Sequence, residues 1–334
     1  MALPSASVGT PLMYLGFFVA VLAMILVDIF ALNRQGDHKV SVKEALSWSL
    51  VWITVALSFN AWLWWTISQD TSLAATEAAR KLIANQKALE FLTGYLIEKS
   101  LAVDNIFVFL LLFGFFKVPP AYQRRVLVYG VVGAIFMRAI MIAIGAVLVA
   151  QFAWILYVFG AFLVFTGLKM MLPEKDKQAD LANNPVLRWI RGHLRVTDTY
   201  HDQRFFIRRQ GVLWVTPLFL VLVMIELTDL VFAVDSIPAI FAVTRDPFIV
   251  MTSNIFAILG LRAMYFLLAD VADRFHLLKY GLAAVLTFIG SKMLLLEVFH
   301  IPIMWSLGGV FGLLAASVIA SLLWPKAEGV LPKG

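Results

Sequence analysis

The chain has 334 residues, 61% hydrophobic and only 14% charged, with a mean hydropathy of +0.87 and a formal net charge of +6. Soluble domains carry about 25% charged and about 45–50% apolar residues, so a single soluble core cannot hide this apolar excess. The lack of cysteine excludes disulfides, thiolate metal sites and dithiol chemistry within the chain. The basic residues lie mostly between apolar runs, which argues against nucleic acid as a partner.

In chain order, nine apolar runs are expected to be membrane helices: roughly 11–31, 46–68, 89–116, 126–149, 152–172, 213–243, 247–269, 279–297 and 302–324. The first is long enough to span, and no Lys or Arg precedes it between Met1 and Gly9, so it reads as a helix rather than a cleavable leader. The fold expected is therefore an all-α polytopic membrane protein embedded in the lipid bilayer. With the N-terminus outside, eighteen Lys and Arg fall in cytoplasmic segments and four, Arg80, Lys81, Lys87 and Arg245, in outer ones. This bias predicts a multi-pass membrane protein with its N-terminus outside and its C-terminus in the cytoplasm. The loop from Pro173 to Gly211 is the longest and most basic. A solvated loop obeying the positive-inside rule is the plain expectation for it, with a short surface helix over 185–195 as the alternative.

Three short matches recur in the same order. Leu101–Asn105 resembles Phe232–Ser236, Arg138-Ala139 matches Arg262-Ala263, and Phe165–Met170 resembles Phe288–Met293, at offsets of 131, 124 and 123. Spans 3–5 thus repeat as spans 6–8, and a three-span unit followed directly by its copy must enter from the opposite side. That is an inverted repeat, which in transporters places the site at the repeat interface near the midplane. The organisation expected is 1–88 for two N-terminal helices, 89–172 for the first repeat, 173–212 for the basic loop, 213–297 for the second repeat, and 298–334 for the last helix and a tail.

Charged residues inside a span need a reason, since each costs about 2.5–3.5 kcal/mol on insertion scales. Span 3 holds Glu98 and Asp104, and span 6 holds Glu226, Asp229 and Asp235. The repeat sets Glu98 on Asp229 and Asp104 on Asp235. Six residues along a helix turn the two acids of a pair about 120° apart, so polar neighbours must complete any ligand shell. Asn105 and Ser236 share the faces of Glu98 and Asp229. Pro238 cannot donate to the carbonyl of Val234, which is left free beside Asp235. Asp28, Asn60 and Asn254 are weaker ligand candidates. Oxygen ligands of this kind suit a hard divalent cation, Mn²⁺, Ca²⁺ or Mg²⁺. Zn²⁺ prefers His or Cys, and all five histidines, His38, His193, His201, His276 and His300, fall in loops or at span ends. Against five central acids stand three buried cations, Lys99, Arg138 and Arg262. Internal salt bridging is the competing account of the acids, and the surplus of two negative charges would be balanced by one divalent cation or two protons. No permanently bound cofactor is expected.

The segments Glu98–Asn105, Glu226–Pro238 and Asn254–Tyr265 resemble the TerC family of bacterial membrane proteins, in particular its alkali-inducible Alx-like branch. The resemblance runs from about Gly9 to Leu323. It implies a link to manganese export and to tellurite-resistance nomenclature, and kinship with exporters built on paired three-helix repeats. Carried over by position, it implies that Glu98, Asp104, Glu226, Asp229 and Asp235 lie on the path of the exported ion; exchange against protons is expected from the two surplus charges, which two protons can balance as one divalent cation does. The alternative is a membrane-bound redox or stress modulator, or an assembly factor without transport. A direct redox role lacks cysteine, a buried haem-ligating histidine and a nucleotide fingerprint. An embedded aspartyl protease would need a Gly-x-Gly-Asp signature that the sequence lacks, so no enzyme activity is expected.

Overall fold

A computed structural model describes residues 7–34, 42–152, 154–172, 185–269, 277–295 and 302–324; within these, the side chain of Asp104 lies outside the described residues. So do residues 173–184 of the basic loop, the tail from 325, and His38, His276 and His300. The elements are α1 (Pro11–Arg34), α2 (Val42–Gln69), α3 (Glu77–Phe115), α4 (Pro120–Gln151), α5 (Ile155–Met170), α6 (Pro185–His193), β1 (Phe206–Arg209), β2 (Val212–Val215), α7 (Pro217–Phe241), α8 (Pro247–Leu259), α9 (Leu261–Leu268), α10 (Leu278–Leu294) and α11 (Ile303–Leu323). The protein is an all-α polytopic membrane protein with one small hairpin. Among the described residues the nine apolar runs fall mainly on helices, 247–269 on the bent pair α8–α9, whereas the run expected from 213 begins in β2 and becomes helical only at Pro217.

Local chemistry sets several boundaries. Pro120, Pro217 and Pro247 each open a helix, where a missing N–H costs nothing. Helix α3 begins twelve residues before the expected span at 89. Thr76 caps it by accepting from the Ala79 amide, and Glu77 pairs with Lys81 at 2.7 Å one turn on. Between α8 and α9 the axis bends by 41° at Gly260. Five helices, α1, α2, α4, α7 and α11, are long and apolar enough to cross a membrane, and the bent pair makes a sixth. Helices α5 and α10, with 16 and 17 residues, reach about 25 Å at about 1.5 Å per residue, slightly short of a hydrocarbon core of about 30 Å. Apolar side chains cover the outside, Phe136 being 68% exposed and Phe165 64%, as a lipid surround permits.

The helices pair as two interleaved units. Helix α3 packs on α8 as α7 packs on α4, α3 and α7 pack on each other, and the broadest contact joins α5 to α10. That last contact depends on glycine. A Cβ on Gly167 would lie 2.7 Å from the Ala283 carbonyl and 2.9 Å from the Thr287 amide. On Gly290 it would lie 2.7 Å from the Gly160 carbonyl and 2.8 Å from the Val164 amide. The offset of 123 read from the sequence carries 160, 164 and 167 onto 283, 287 and 290. Each glycine therefore meets the counterpart of what the other meets, as two units related by a two-fold axis would do.

The described part of the basic loop is more ordered than a solvated connection. Leu187 and Ile190 of α6 are buried against the protein while Trp189 is 59% exposed, so the helix keeps an apolar face inward. Strands β1 and β2 form an antiparallel hairpin closed by Gln210 and Gly211, both at positive φ, the two-residue turn that matches strand twist. The Thr216 hydroxyl donates to the Arg204 carbonyl at 2.7 Å, and Tyr200 donates to the Phe116 carbonyl at 2.8 Å. Burial pushes the Tyr200 phenol up to about 12, so it stays a donor. These bonds fix the loop to the ends of α3 and α7.

Candidate functional site

At the centre of the bundle, Arg138 of α4 joins the two repeats. Its Nε and Nη2 donate to the two carboxylate oxygens of Asp229 on α7, at 3.1 and 2.9 Å. Its Nη1 donates to Glu98 Oε1 on α3, to the Ser236 hydroxyl at 3.2 Å and to Asn254 Oδ1 on α8 at 3.4 Å. The fork of the guanidinium suits two carboxylates at once. Asn254 in turn donates to Glu98 Oε2 at 3.0 Å, and Asn105 donates to Asp229 Oδ1 at 3.4 Å. Glu98 and Asn254 are 0% exposed and Arg138 is 1% exposed, so water contributes little and each polar atom depends on its neighbours.

The sequence-derived candidates thus divide. Glu98 and Asp229, equivalent by the repeat, meet on Arg138, with Asn105, Ser236 and Asn254 around them. Glu226, three residues before Asp229 on the same face of α7, sits beside this centre. Its carboxylate fills the space left by Gly133 on α4, close to Gly130 as well, and its buried Oε2 has no hydrogen-bond partner among the described residues. Asp235 lies apart: its carboxylate accepts from Thr166 of α5 at 3.2 Å, near Lys169. Val234 is 44% exposed, and no hydrogen bond among the described residues joins it to the centre. Asn60 is buried on α2 with its Oδ1 unpartnered. Asp104 is carried by α3, but its side chain lies outside the described residues.

The three buried cations also divide. Arg138 is central. Arg262 pairs with Asp28 of α1, beside Glu44 and Arg124 at the ends of α2 and α4 that face the same side. Lys99 donates to the Ala257 carbonyl at 3.1 Å and abuts Gly260. It satisfies an oxygen that the bend between α8 and α9 withdraws from the helix ladder. A small cavity is lined by Phe109, Leu127, Ile225 and Leu261 together with Asp229 and Arg262. Among the described residues no group of three His, Asp or Glu converges as a ready metal shell: the guanidinium stands between the acids that would form one. Arg138 carried only a weak signal in the sequence, its recurrence as Arg262 in the second repeat.

Comparison with known proteins agrees with this architecture. The model of the integral membrane protein TerC family matches residues 83–328. A protein of Escherichia coli K12, provisionally described as membrane-bound redox modulator Alx, is 58% identical over 313 residues, covering 94% of this chain and 95% of its own. A relative under the same provisional description from Photorhabdus laumondii is 50% identical over 316 residues, 95% of this chain and 96% of its own. An uncharacterized membrane protein of Myxococcus xanthus is 44% identical over 331 residues, 98% of each chain. No solved structure matches the chain.

Proposed function

Since the chain belongs to the TerC family of integral membrane proteins, we propose that it exports a divalent metal cation, Mn²⁺ first among the candidates, from the cytoplasm across the bacterial inner membrane, in exchange for protons. One observation carries this reading: Glu98 and Asp229, one acid from each repeat, are buried on the same Arg138 guanidinium, with the side chains of Asn105, Ser236 and Asn254 around them. Buried acids on facing helices of paired repeats are the means by which transporters hold a cation at membrane depth. All the donors are hard oxygens, which favour Mn²⁺, Mg²⁺ or Ca²⁺ over Zn²⁺ or Cu⁺. Arg262, which lines one small cavity with Asp229, lies with Asp28, Glu44 and Arg124 on the side that the distribution of Lys and Arg predicts to be cytoplasmic.

The description of the relatives as redox modulators favours a second reading, in which the protein alters the redox state of the membrane. A chain without cysteine would do so indirectly, through the metal content of the cell. The deciding measurement is Mn²⁺ flux through the purified protein in vesicles, with and without an imposed pH gradient. Flux above that of empty vesicles, accelerated by the gradient and abolished by Asp229→Asn, supports export. Vesicles as tight to Mn²⁺ as protein-free ones remove it.

A further inference from the structure

We propose that Arg138 is the resident counter-cation of the transport site: its guanidinium holds Glu98 and Asp229 when no metal is bound, and moves to Glu226 when a divalent cation takes its place. The proposal rests on the transport reading and assigns the step that resets the empty carrier.

Two carboxylates buried together would repel one another and be costly to desolvate. Arg138 relieves both at once, with three nitrogens on five oxygens: both of Asp229, Glu98 Oε1, the Ser236 hydroxyl and Asn254 Oδ1. A metal ion approaching Glu98 and Asp229 must therefore displace a cation that already fits. The displaced guanidinium needs an acceptor, because an unpaired buried charge is far costlier than a lost hydrogen bond. Glu226 provides one. Its Oε2 is buried without a partner among the described residues, and its carboxylate lies against Gly130 and Gly133 of α4, the helix that carries Arg138. Glu226 stands one turn before Asp229 on α7, which makes it the next carboxylate along the helix whose Asp229 already holds the guanidinium. Glycine at 133 makes room for that carboxylate, since a Cβ there would overlap it. Charge closes as well. Glu98, Asp229 and Glu226 with Arg138 sum to −2, so with Arg138 on Glu226 one divalent cation on Glu98 and Asp229 leaves the site neutral.

A guanidinium that stands in for the cargo is needed when the carrier returns empty and is dispensable when it returns loaded. The test uses the full chain in vesicles with Mn²⁺ as the only probe. Net flux down a Mn²⁺ gradient is compared with one-for-one exchange of labelled against unlabelled Mn²⁺. Arg138→Gln is expected to lose net flux, keep exchange, and bind Mn²⁺ as tightly as the wild type or more so. A folded Arg138→Gln protein with net flux at the wild-type rate, or one that binds no Mn²⁺, overturns the proposal. Should that variant not fold, the wild-type chain decides. In its Mn²⁺-bound structure Arg138 should have left Glu98 for Glu226, and a guanidinium still on both Glu98 and Asp229 refutes the displacement. A wild type that conducts neither flux nor exchange removes the transport reading, and this proposal with it. Wild-type transport with normal net flux in Arg138→Gln removes the proposal alone.

Discussion

Asp229→Asn tests the central ion pair directly. Asp229 supplies both oxygens of a two-pronged contact with Arg138 at 2.9 and 3.1 Å, in a site where neither side chain is more than 3% exposed. The amide is nearly isosteric, so packing changes little and the lost charge dominates. Removing one partner of a buried pair costs about 3–5 kcal/mol, because the other charge is left uncompensated. Glu98 remains on the same guanidinium through Nη1, which places the expected loss at the lower end, about 3 kcal/mol. Arg138→Gln alone should cost a similar amount by leaving Glu98 and Asp229 facing each other. The double variant should cost less than the sum, with a favourable coupling of about 1–3 kcal/mol, as expected for residues in direct contact. The assay is reversible unfolding of the purified chain in mixed detergent micelles, followed by tryptophan fluorescence. Strictly additive losses, or a shift below about 0.5 kcal/mol for Asp229→Asn, the range of ordinary surface substitutions, would show that the pair is not the buried contact described.

Further predictions concern topology, selectivity, symmetry and the neighbouring acid. In this cysteine-free chain, a cysteine introduced at Gly192 of α6 should react with an impermeant thiol reagent only from the cytoplasmic side, and labelling from outside would invert the orientation. Vesicles should take up Mn²⁺ faster than Zn²⁺, and equal rates would contradict the oxygen-donor argument. Gly167→Val and Gly290→Val should destabilise the protein to similar extents, at least the roughly 1–3 kcal/mol typical of overpacking, and a marked difference in their unfolding midpoints would break the two-fold equivalence. Glu226→Gln should weaken Mn²⁺ binding less than Asp229→Asn, since Glu226 has no acidic counterpart in the first repeat, where Tyr95 stands; calorimetric titration showing the reverse order would move the primary ligand to Glu226.

Much of the frame was legible because a bilayer makes sequence patterns blunt. Long apolar runs announce helices, and a charged residue inside one announces a partner. The repeat was legible because Asp-Asn/Ser, Arg-Ala and Gly-x-x-Met recur in order, and Gly167 and Gly290 belong to the last of these matches. What escaped was whatever depends on side-chain reach. Counting charges set three cations against five acids as one pool. The structure separates them: Arg262 goes to Asp28, Asp235 goes to Thr166, and Lys99 caps a bent helix at Ala257. No periodicity reveals that a lysine will serve a carbonyl at a break in another helix. The amphipathic face of 185–195 suggested a membrane surface, yet Leu187 and Ile190 turn to the protein. The β1–β2 hairpin was likewise missed, since four-residue strands leave a weak alternation and their signal lies in Gln210-Gly211 alone.

The asymmetry between the two repeats has a physical consequence. A perfect two-fold would give Arg138 and Arg262 equal surroundings, and each would sit between equivalent acids. Instead Arg138 takes both Glu98 and Asp229, while Arg262 is drawn to Asp28 of α1, which stands outside both repeats. Among the described residues Arg262 Nη1 has no hydrogen-bond partner, whereas all three nitrogens of Arg138 are engaged and the unpartnered Glu226 Oε2 belongs to the residue one turn before Asp229. A carrier whose two units were identical would hold its cargo equally toward either side. Here α1 engages Arg262 through Asp28 and leaves Arg138 between Glu98 and Asp229, so under the transport proposal an exchange of charge partners falls at the α4–α7 interface, where Gly130 and Gly133 accommodate Glu226.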